Sequence, residues 1–488
     1  MSDFSRMIPL FQLMLSVLLF SCGETAQTTE KPQSEEVKPA GKMHIEATLD
    51  GASNDFAKIL GVYGNQNFII DSARSNANGV FIFDADTLLP KGFYYLMLGS
   101  DNSYFQLLLG DDQEFTLTAK KGDFVNSMVV DGCLDNELLY QNLKFEAAFN
   151  VRLKPITDKL AKLPAGSEEH NSAKSKQEAL VAERLNHIAS FSKNHPNSFF
   201  TQFKLSGQNP ELTYPKNADG SLNEAAQVYQ YRNAFWNMID FSQTSTLRTP
   251  VFANKLRKYI KELTPQNADS LIKYSDLLIE KSKANKEIFK YVVNWIALEY
   301  KTPKTMGTEA VFVHMIDTYW TEDQAFWSNP EEIKGLRGQI SLMKPSLIGK
   351  IGQDIAAKNE NGQPVSLYGL TSPIKVLFIY SYDCEHCQKE APEMVTVYNE
   401  WKNKGVDVLA LSTDKDEAKW KAFIQKNGMS VFKNTIDPDR SSRYERKYHI
   451  DITPELYVLD KNNKIIASNL SPNQLPQFLE AERVRNPW

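Results

Sequence analysis

The pattern of apolar and polar residues divides the chain into segments of different kinds. A largely apolar run of 15 residues, Met7–Ser21, follows Arg6 and is shorter than the roughly 20 residues that a membrane-spanning helix needs. It has the length of a signal-peptide core, so residues 1–21 are predicted to be a cleaved leader. Residues 22–42 contain mainly polar residues and Pro, and are predicted to form a disordered tether because they can bury little.

Residues 43–132 show short runs rich in β-branched and aromatic residues, such as GVFIFDA and FYYLMLG, with Gly, Asn and Asp between them. Runs that recur about every ten residues predict a small antiparallel sandwich or barrel. The stretch offers neither paired carboxylates nor a His cluster, so we expect a structural or partner-binding role.

Residues 134–343 follow a helical period instead. The apolar residues between Ile288 and Ile296 recur at intervals of three and four, which places them on one helix face. Trp and Tyr at such spacing are more often core residues than a carbohydrate or cofactor site. This region is predicted to be an all-α middle domain without assigned chemistry.

Residues 347–488 alternate between strand and helix patterns. The continuous apolar stretch Lys375–Tyr380 is typical of a strand buried on both faces. It leads into a C-x-x-C sequence, Cys384 and Cys387, followed by a helical pattern. The predicted fold class is therefore multidomain, with an all-β sandwich-like domain, an all-α middle domain and a C-terminal α/β domain.

Composition narrows the possible functions. The chain has 488 residues, and its 55 Lys and Arg against 60 Asp and Glu give a net charge of −5. A dominant basic face is therefore not expected, and we predict no nucleic-acid partner. The 4 cysteines are too few for a disulfide framework. Cys133 stands alone at a domain junction, and we assign it no role.

The C-x-x-C sequence carries the candidate chemistry. Cys384 is predicted to lie at a helix N-terminus, where free N–H groups and the helix dipole favour the reactive thiolate. Cys387, about one turn later, can attack a mixed disulfide and release a reduced substrate. A protonated His386 would favour the Cys384 thiolate, whereas Asp383 and Glu385 would oppose it, so these three residues are predicted to tune its pKa.

This arrangement resembles the TlpA/ResA-like thiol–disulfide oxidoreductases, which belong to the thioredoxin family and act in the cell envelope. The resemblance covers residues 347–488 and implies a thioredoxin fold. It implies that Glu390, in a C-x-x-C-x-x-E pattern, assists proton transfer, although a first-turn carboxylate favoured by the helix dipole is an equal alternative. Thr453 and Pro454 match the cis-proline segment of the family and are expected to bind substrate.

Two positions depart from the thioredoxin pattern. Phe378 replaces a buried Asp, and Asp383 replaces a Trp. These replacements leave undetermined the route by which protons reach and leave the two thiols. A zinc site would need about four ligands, and the C-terminal domain offers two thiols, His386 and His449 as candidates. The copper-delivery relatives of this fold use a different cysteine spacing. We therefore expect no metal, and no cofactor other than a redox-active disulfide between Cys384 and Cys387.

The sequence Leu19-Phe20-Ser21-Cys22 resembles a bacterial lipobox, which implies cleavage before Cys22 and lipid attachment to it. The alternative is an ordinary secretory signal with an incidental cysteine. Both regions before residue 344 resemble domains of unknown function found in lipoproteins of the Bacteroidetes.

The sequence thus predicts an envelope thiol–disulfide oxidoreductase that is anchored to the membrane through lipid on Cys22 and faces the periplasm. Its expected partners are cysteine-containing envelope proteins as substrates and, by resemblance, a membrane thiol donor. The resemblance implies a reductase, whereas His386 argues for a disulfide oxidase or isomerase. A different hypothesis is an envelope binding or scaffold lipoprotein whose thioredoxin-like domain is regulatory or vestigial.

Overall fold

The computed structural model describes residues 41–302 and 304–488. The predicted leader, residues 1–21, lies outside these residues, as do Cys22 and nearly all of the tether. In the part of the chain that is described, no helix is long and apolar enough to cross a membrane. The chain passes through a β-rich region, a helical region and an α/β region, which confirms the predicted fold class.

The β-rich region consists of two sheets that share one hydrophobic core. Its elements are β1 (Met43–Asp50), β2 (Phe56–Tyr63), β3 (Gln66–Arg74), β4 (Val80–Ala85), β5 (Gly92–Leu98), β6 (Tyr104–Leu109), β7 (Glu114–Lys120), α1 (Phe124–Ser127) and β8 (Val129–Asp131). Among the described residues, the two sheets have the strand orders β4-β1-β7-β8 and β3-β2-β5-β6. Alternate residues of β1 and β7 are buried because successive side chains of a strand point to opposite faces.

One strand pair differs from the predicted antiparallel arrangement. Strand β1 pairs in parallel with β7, with Ile45 opposite Phe115, and antiparallel with β4. A parallel pair requires a crossover connection. The chain between β1 and β7 supplies this connection because it visits the second sheet twice.

The helical region has its own large core. Its helices are α2 (Leu134–Leu160), α3 (Glu168–Asn194), α4 (Phe199–Ser206), α5 (Glu224–Ala234), α6 (Pro250–Lys258), α7 (Ala268–Ser282), α8 (Lys286–Lys301), α9 (Glu309–Tyr319) and α10 (Pro330–Met343). On α8, Ile288, Val292 and Ile296 are buried, while Tyr291 and Trp295 pack against the same core.

The first helix after the strands extends the β-rich core. The side chain of Asn136 bonds to both the N–H and the carbonyl of Leu108 on β6. Leu138 and Leu139 are buried among residues of the β-rich core, and Cys133 is buried beside Asn136. The domain boundary at residues 132–134 therefore stays a prediction.

The α/β region has one central sheet covered on both faces. Its elements are β9 (Ala356–Lys358), β10 (Pro364–Ser366), β11 (Ile374–Tyr380), α11 (Glu385–Trp401), β12 (Val406–Ser412), α12 (Glu417–Lys426), β13 (Lys433–Ile436), α13 (Tyr444–Lys447), β14 (Glu455–Leu459), β15 (Ile465–Ser468) and α14 (Leu475–Arg485). Within residues 304–488 the strand order is β10-β9-β13-β12-β11-β14-β15. All residues of β11 are buried, as its continuous apolar sequence predicts.

The helical and α/β regions meet beside the loop that precedes β14. The backbone N–H of His449 donates to the hydroxyl of Ser346, at a distance of 3.0 Å. A small cavity of about 20 Å³ lies at this contact and is lined by Glu309, Tyr457 and Asn469 among others. The helical region thus contacts the segment that continues into the candidate site.

Candidate active site

The C-x-x-C sequence lies where the central strand gives way to a helix. Strand β11 ends at Tyr380, and helix α11 begins at Glu385 with Cys384 as its N-cap. The backbone N–H of Cys387 points to the sulfur of Cys384, at a distance of 3.4 Å. The first N–H groups of a helix have no partner within the helix, so the sulfur occupies a position that favours negative charge.

A second segment reaches Cys384 from the other side. Strand β14 pairs antiparallel with β11, which brings the preceding residues Thr453 and Pro454 to the end of the central strand. The peptide bond between Thr453 and Pro454 is cis. The thiol of Cys384 donates to the backbone carbonyl of Thr453, with the sulfur 3.0 Å from the oxygen. The structure therefore brings together the predicted nucleophile and the predicted substrate-binding pair.

The two thiols differ in their acidity. Burial by itself raises the pKa of Cys384, but hydrogen bonds from Thr453, Cys387 and the backbone N–H of His386 outweigh it, and the pKa lies below the ordinary value of 9.0. Cys387 is fully buried, and burial raises its pKa to about 12. Both are free thiols in the structure. Cys384 is therefore the thiol that ionises first and remains partly accessible, as a nucleophile requires.

The predicted tuning residues lie around Cys384 but do not bond to its sulfur through their side chains. Asp383 and Glu385 are exposed on either side of it. His386 is also exposed, and it lowers the pKa of Cys384 through its backbone N–H. In the described chain, the main groups that favour the thiolate are therefore hydrogen-bond donors rather than the charges of these three residues.

A surface groove of about 590 Å³ adjoins the two cysteines. One wall comes from helix α11, with His386 and Glu390, and the other comes from residues 450–454. Glu390 is partly buried, and burial together with the charge of Glu393 raises its pKa, against the opposing charges of His386 and Lys389. A carboxyl group with a raised pKa exchanges protons closer to neutral pH than an ordinary glutamate.

Asp414 is a residue at this site that sequence reasoning missed. It follows β12, the parallel neighbour of β11, and holds the loop that leads to Cys384. Its carboxylate accepts hydrogen bonds from the Ser381 hydroxyl at 2.8 Å and from the Tyr382 N–H at 2.7 Å. The sequence signal was available, because the carboxyl ends of adjacent parallel strands meet at one edge of a sheet.

One departure from the thioredoxin pattern, Phe378, lies in an aromatic cluster. Phe378 is fully buried and stacks on Tyr380, with ring centroids 5.7 Å apart. The hydroxyl of Tyr380 accepts a bond from the indole N–H of Trp420 at 2.9 Å. Beneath the cysteines, the chain therefore places aromatic packing where a carboxylate was expected from thioredoxins.

The candidate zinc ligands do not come together. His449 lines the small cavity at the contact with the helical region, whereas His386 lines the groove. Among residues 41–302 and 304–488, no group of three or more His, Cys, Asp and Glu side chains is arranged to hold a metal ion.

Comparison with known proteins agrees with this geometry. Residues 348–468 match the AhpC/TSA family. Thiol-disulfide oxidoreductase ResA of Bacillus thuringiensis (strain Al Hakam) is 26% identical over 119 residues, which are 24% of this chain and 67% of that protein.

Two solved structures are also similar. A domain of a possible thiol-disulfide isomerase from Cytophaga hutchinsonii has 29% identity and a TM-score of 0.27, covering 28% of this chain and 95% of that one. A thioredoxin-like protein from Bacteroides caccae has 15% identity and a TM-score of 0.45, covering 56% of this chain and 99% of that one. On the family match and the ResA likeness, residues 348–468 form a thioredoxin-like thiol–disulfide oxidoreductase domain of the AhpC/TSA family.

Proposed function

We propose that Cys384 and Cys387 form the redox centre of this domain and that the protein reduces disulfides of other envelope proteins. The observation that carries the proposal is the asymmetry of the two thiols. Cys384 is partly exposed with a lowered pKa, and Cys387 is buried with a pKa of about 12. Cys384 is thus suited to attack the substrate disulfide, and Cys387 is suited to resolve the mixed disulfide that forms on Cys384.

The reaction proceeds in two displacement steps. The Cys384 thiolate attacks one sulfur of the substrate disulfide, a mixed disulfide forms, and the first substrate thiolate leaves and takes up a proton. Cys387 then loses its proton and attacks the sulfur of Cys384, and the second substrate thiolate leaves. Two electrons pass to the substrate, and the protein is left with a disulfide. A membrane thiol donor then returns two electrons and two protons.

Glu390 is the proposed proton carrier in the second step. Cys387 holds its proton tightly, so an acceptor near the thiols speeds its attack. The Glu390 carboxyl lies in the adjoining groove with a raised pKa. It therefore takes up a proton more readily than an ordinary glutamate does.

The reducing direction is supported by the charges that flank the nucleophile. Asp383 and Glu385 are exposed beside Cys384, and negative charge there opposes the thiolate. A disulfide is strongly oxidising when its reduced form is strongly stabilised as a thiolate. Burial of Cys384 also opposes ionisation and limits how far the hydrogen bonds lower its pKa, so the pair is expected to be a reductant rather than a strong oxidant.

The reduction potential of the full chain in detergent tests this proposal. The Cys133→Ser variant serves as the reference, and Cys384→Ser and Cys387→Ser added to it should each abolish the couple. We expect a potential close to that of thioredoxin, about −270 mV. A potential near −120 mV would favour a disulfide oxidase. If no reversible couple is found, the redox proposal is wrong and a binding or scaffold role takes its place.

The membrane anchor is a separate proposal. We propose that residues 1–21 are removed and that Cys22 carries lipid, which holds the domains at the periplasmic face of the envelope. Its support is the apolar run that ends at Ser21 and is followed directly by Cys22. Mass measurement of the mature N-terminus tests it. Cys22→Ala should move the protein from the membrane fraction to the soluble fraction, while a protein that stays membrane-bound would contradict lipid attachment.

A further inference from the structure

The groove beside the cysteines has two unlike walls. Ile450, Ile452 and Pro454 make one wall mainly apolar, while His386 and Glu390 make the other polar. The groove opens next to Cys384, whose sulfur contacts Thr453. Any disulfide that reaches Cys384 therefore places its neighbouring residues against these walls.

The apolar wall includes an exposed aliphatic side chain, Ile452. Ile452 is 71% exposed, although it lies directly before Thr453. Exposed single apolar residues are ordinary on protein surfaces. This one lies at the edge of a groove that adjoins the nucleophile, where an apolar side chain of a bound segment would cover it and remove both surfaces from water.

Two carboxylates of the groove lack a bonded side-chain partner among the described residues. Glu390 and Asp451 both line it, and neither forms a hydrogen bond or an ion pair with a side chain in the described part of the protein. Asp383 and Glu385 add two more exposed carboxylates beside Cys384. His386 and Lys389 are the cations that act on Glu390, and these two face four carboxylates, so negative charge dominates this surface.

We propose, as an extension of the proposed function, that the groove selects extended protein segments in which a Lys or Arg and an aliphatic residue flank the reacting cysteine. The basic side chain lies against Asp451 and Glu390, where opposite charge attracts it. The aliphatic residue covers Ile452. An acidic segment is repelled by the same carboxylates, which makes the groove selective as well as attractive.

Three short peptides with one internal disulfide test this proposal. Each carries Leu beside one cysteine and, on the other side, either Lys, Gln or Glu. The rate of exchange with the reduced full chain is measured at low and high salt. We expect the Lys peptide to react about threefold faster than the Gln peptide, and the Glu peptide to react more slowly. The differences should shrink at high salt because ions screen surface charges.

Variants then locate the effect in the groove. Asp451→Asn should remove much of the advantage of the Lys peptide, and Asp451→Lys should reverse the preference. Glu480→Gln, an exposed carboxylate on α14 that does not line the groove, is the matched control and should change nothing. Ile452→Ser should slow the Leu peptides but not peptides with Ser in place of Leu.

Bis(2-hydroxyethyl) disulfide separates this proposal from the proposed function, because it is a small, uncharged, linear disulfide. The unchanged protein and Glu480→Gln should react with it at the same rate. If it reacts but the three peptides react equally, the substrate class is wrong and the redox function stands. If it does not react even with the unchanged protein, the redox function itself is wrong.

Discussion

The sulfur of Cys384 lies 3.0 Å from the backbone carbonyl oxygen of Thr453, a residue that is far away in sequence and reaches it through the pairing of β14 with β11. The contact explains how a partly exposed thiol is held in one position at the end of a strand. Thr453 also acts on Cys384 through its side chain, whose hydrogen bond lowers the pKa of Cys384. The substrate-binding segment and the nucleophile are therefore electrostatically linked.

Thr453→Val should raise the pKa of Cys384, because the variant keeps the shape of the side chain and loses its hydroxyl donor. The ionisation of Cys384 is followed by thiolate absorbance in a Cys133→Ser background. Thr371→Val is the control, because Thr371 is exposed in the loop before β11. An unchanged titration in Thr453→Val would show that the hydroxyl does not stabilise the thiolate.

Asp414→Asn should loosen the loop that leads to Cys384. Asn has one oxygen and one NH2 donor in place of the two carboxylate oxygens, so it cannot accept in the same way from both the Ser381 hydroxyl and the Tyr382 N–H. We expect a loss of about 1–3 kcal/mol in stability and slower exchange at Cys384.

The neighbouring Asp416 supplies the control for this prediction. It caps α12 by accepting from two backbone N–H groups, so Asp416→Asn should also reduce stability. It should leave the rate of exchange per folded molecule unchanged. Equal exchange rates for the two variants would mean that Asp414 is a stabilising residue without a role in positioning the loop.

Glu390→Gln should slow the second displacement step about 10- to 100-fold. The rate of that step should also lose the part of its pH dependence that comes from ionisation of Glu390. The step is measured as the decay of a preformed mixed disulfide on Cys384 across a pH series. Glu393→Gln is the informative companion, because the charge of Glu393 raises the pKa of Glu390. Glu393→Gln should keep the maximal rate of the second step and move the acidic limb of its pH–rate profile to lower pH. A Glu390→Gln profile identical to that of the unchanged protein would assign Glu390 to helix stabilisation alone.

The sequence predicted those features that are determined by the residues of a single segment. Strand β11 was recognised because burial on both faces requires an unbroken apolar run, and α11 because a helical pattern follows the two cysteines. The placement of Thr453 came from family resemblance, since nothing local links it to Cys384.

The features that were missed depend on contacts between segments. Asp414 reads as an ordinary loop residue until β12 is known to lie beside β11. The parallel pairing of β1 with β7 likewise follows from the path of the whole chain through two sheets. Glu455 reads as the first residue of a strand, yet its surroundings include a carboxylate from the helical region.

Glu455 makes the stability of the α/β region depend on pH. Its side chain is 4% exposed, and burial, with the charges of Asp451 and Glu309, raises its pKa from 4.5 to about 8. The folded protein therefore holds a proton that the unfolded chain releases above about pH 4.5. The contribution of Glu455 to stability is most favourable below that pH and is lost as pH rises to about 8, where the native carboxyl also ionises.

Glu455→Gln should remove this decline, because the amide stays neutral at every pH. The variant should match the unchanged protein near pH 4.5 and exceed it at pH 8 by on the order of 3 kcal/mol. Thermal unfolding of both proteins at several pH values measures the difference, with Glu480→Gln on the exposed face of α14 as the control. A difference between Glu455→Gln and the unchanged protein that is constant from pH 5 to pH 8 would mean that Glu455 is ionised throughout. In that case the Asn469 amide, oriented with its nitrogen toward the carboxylate, would be stabilising a charge rather than a buried acid.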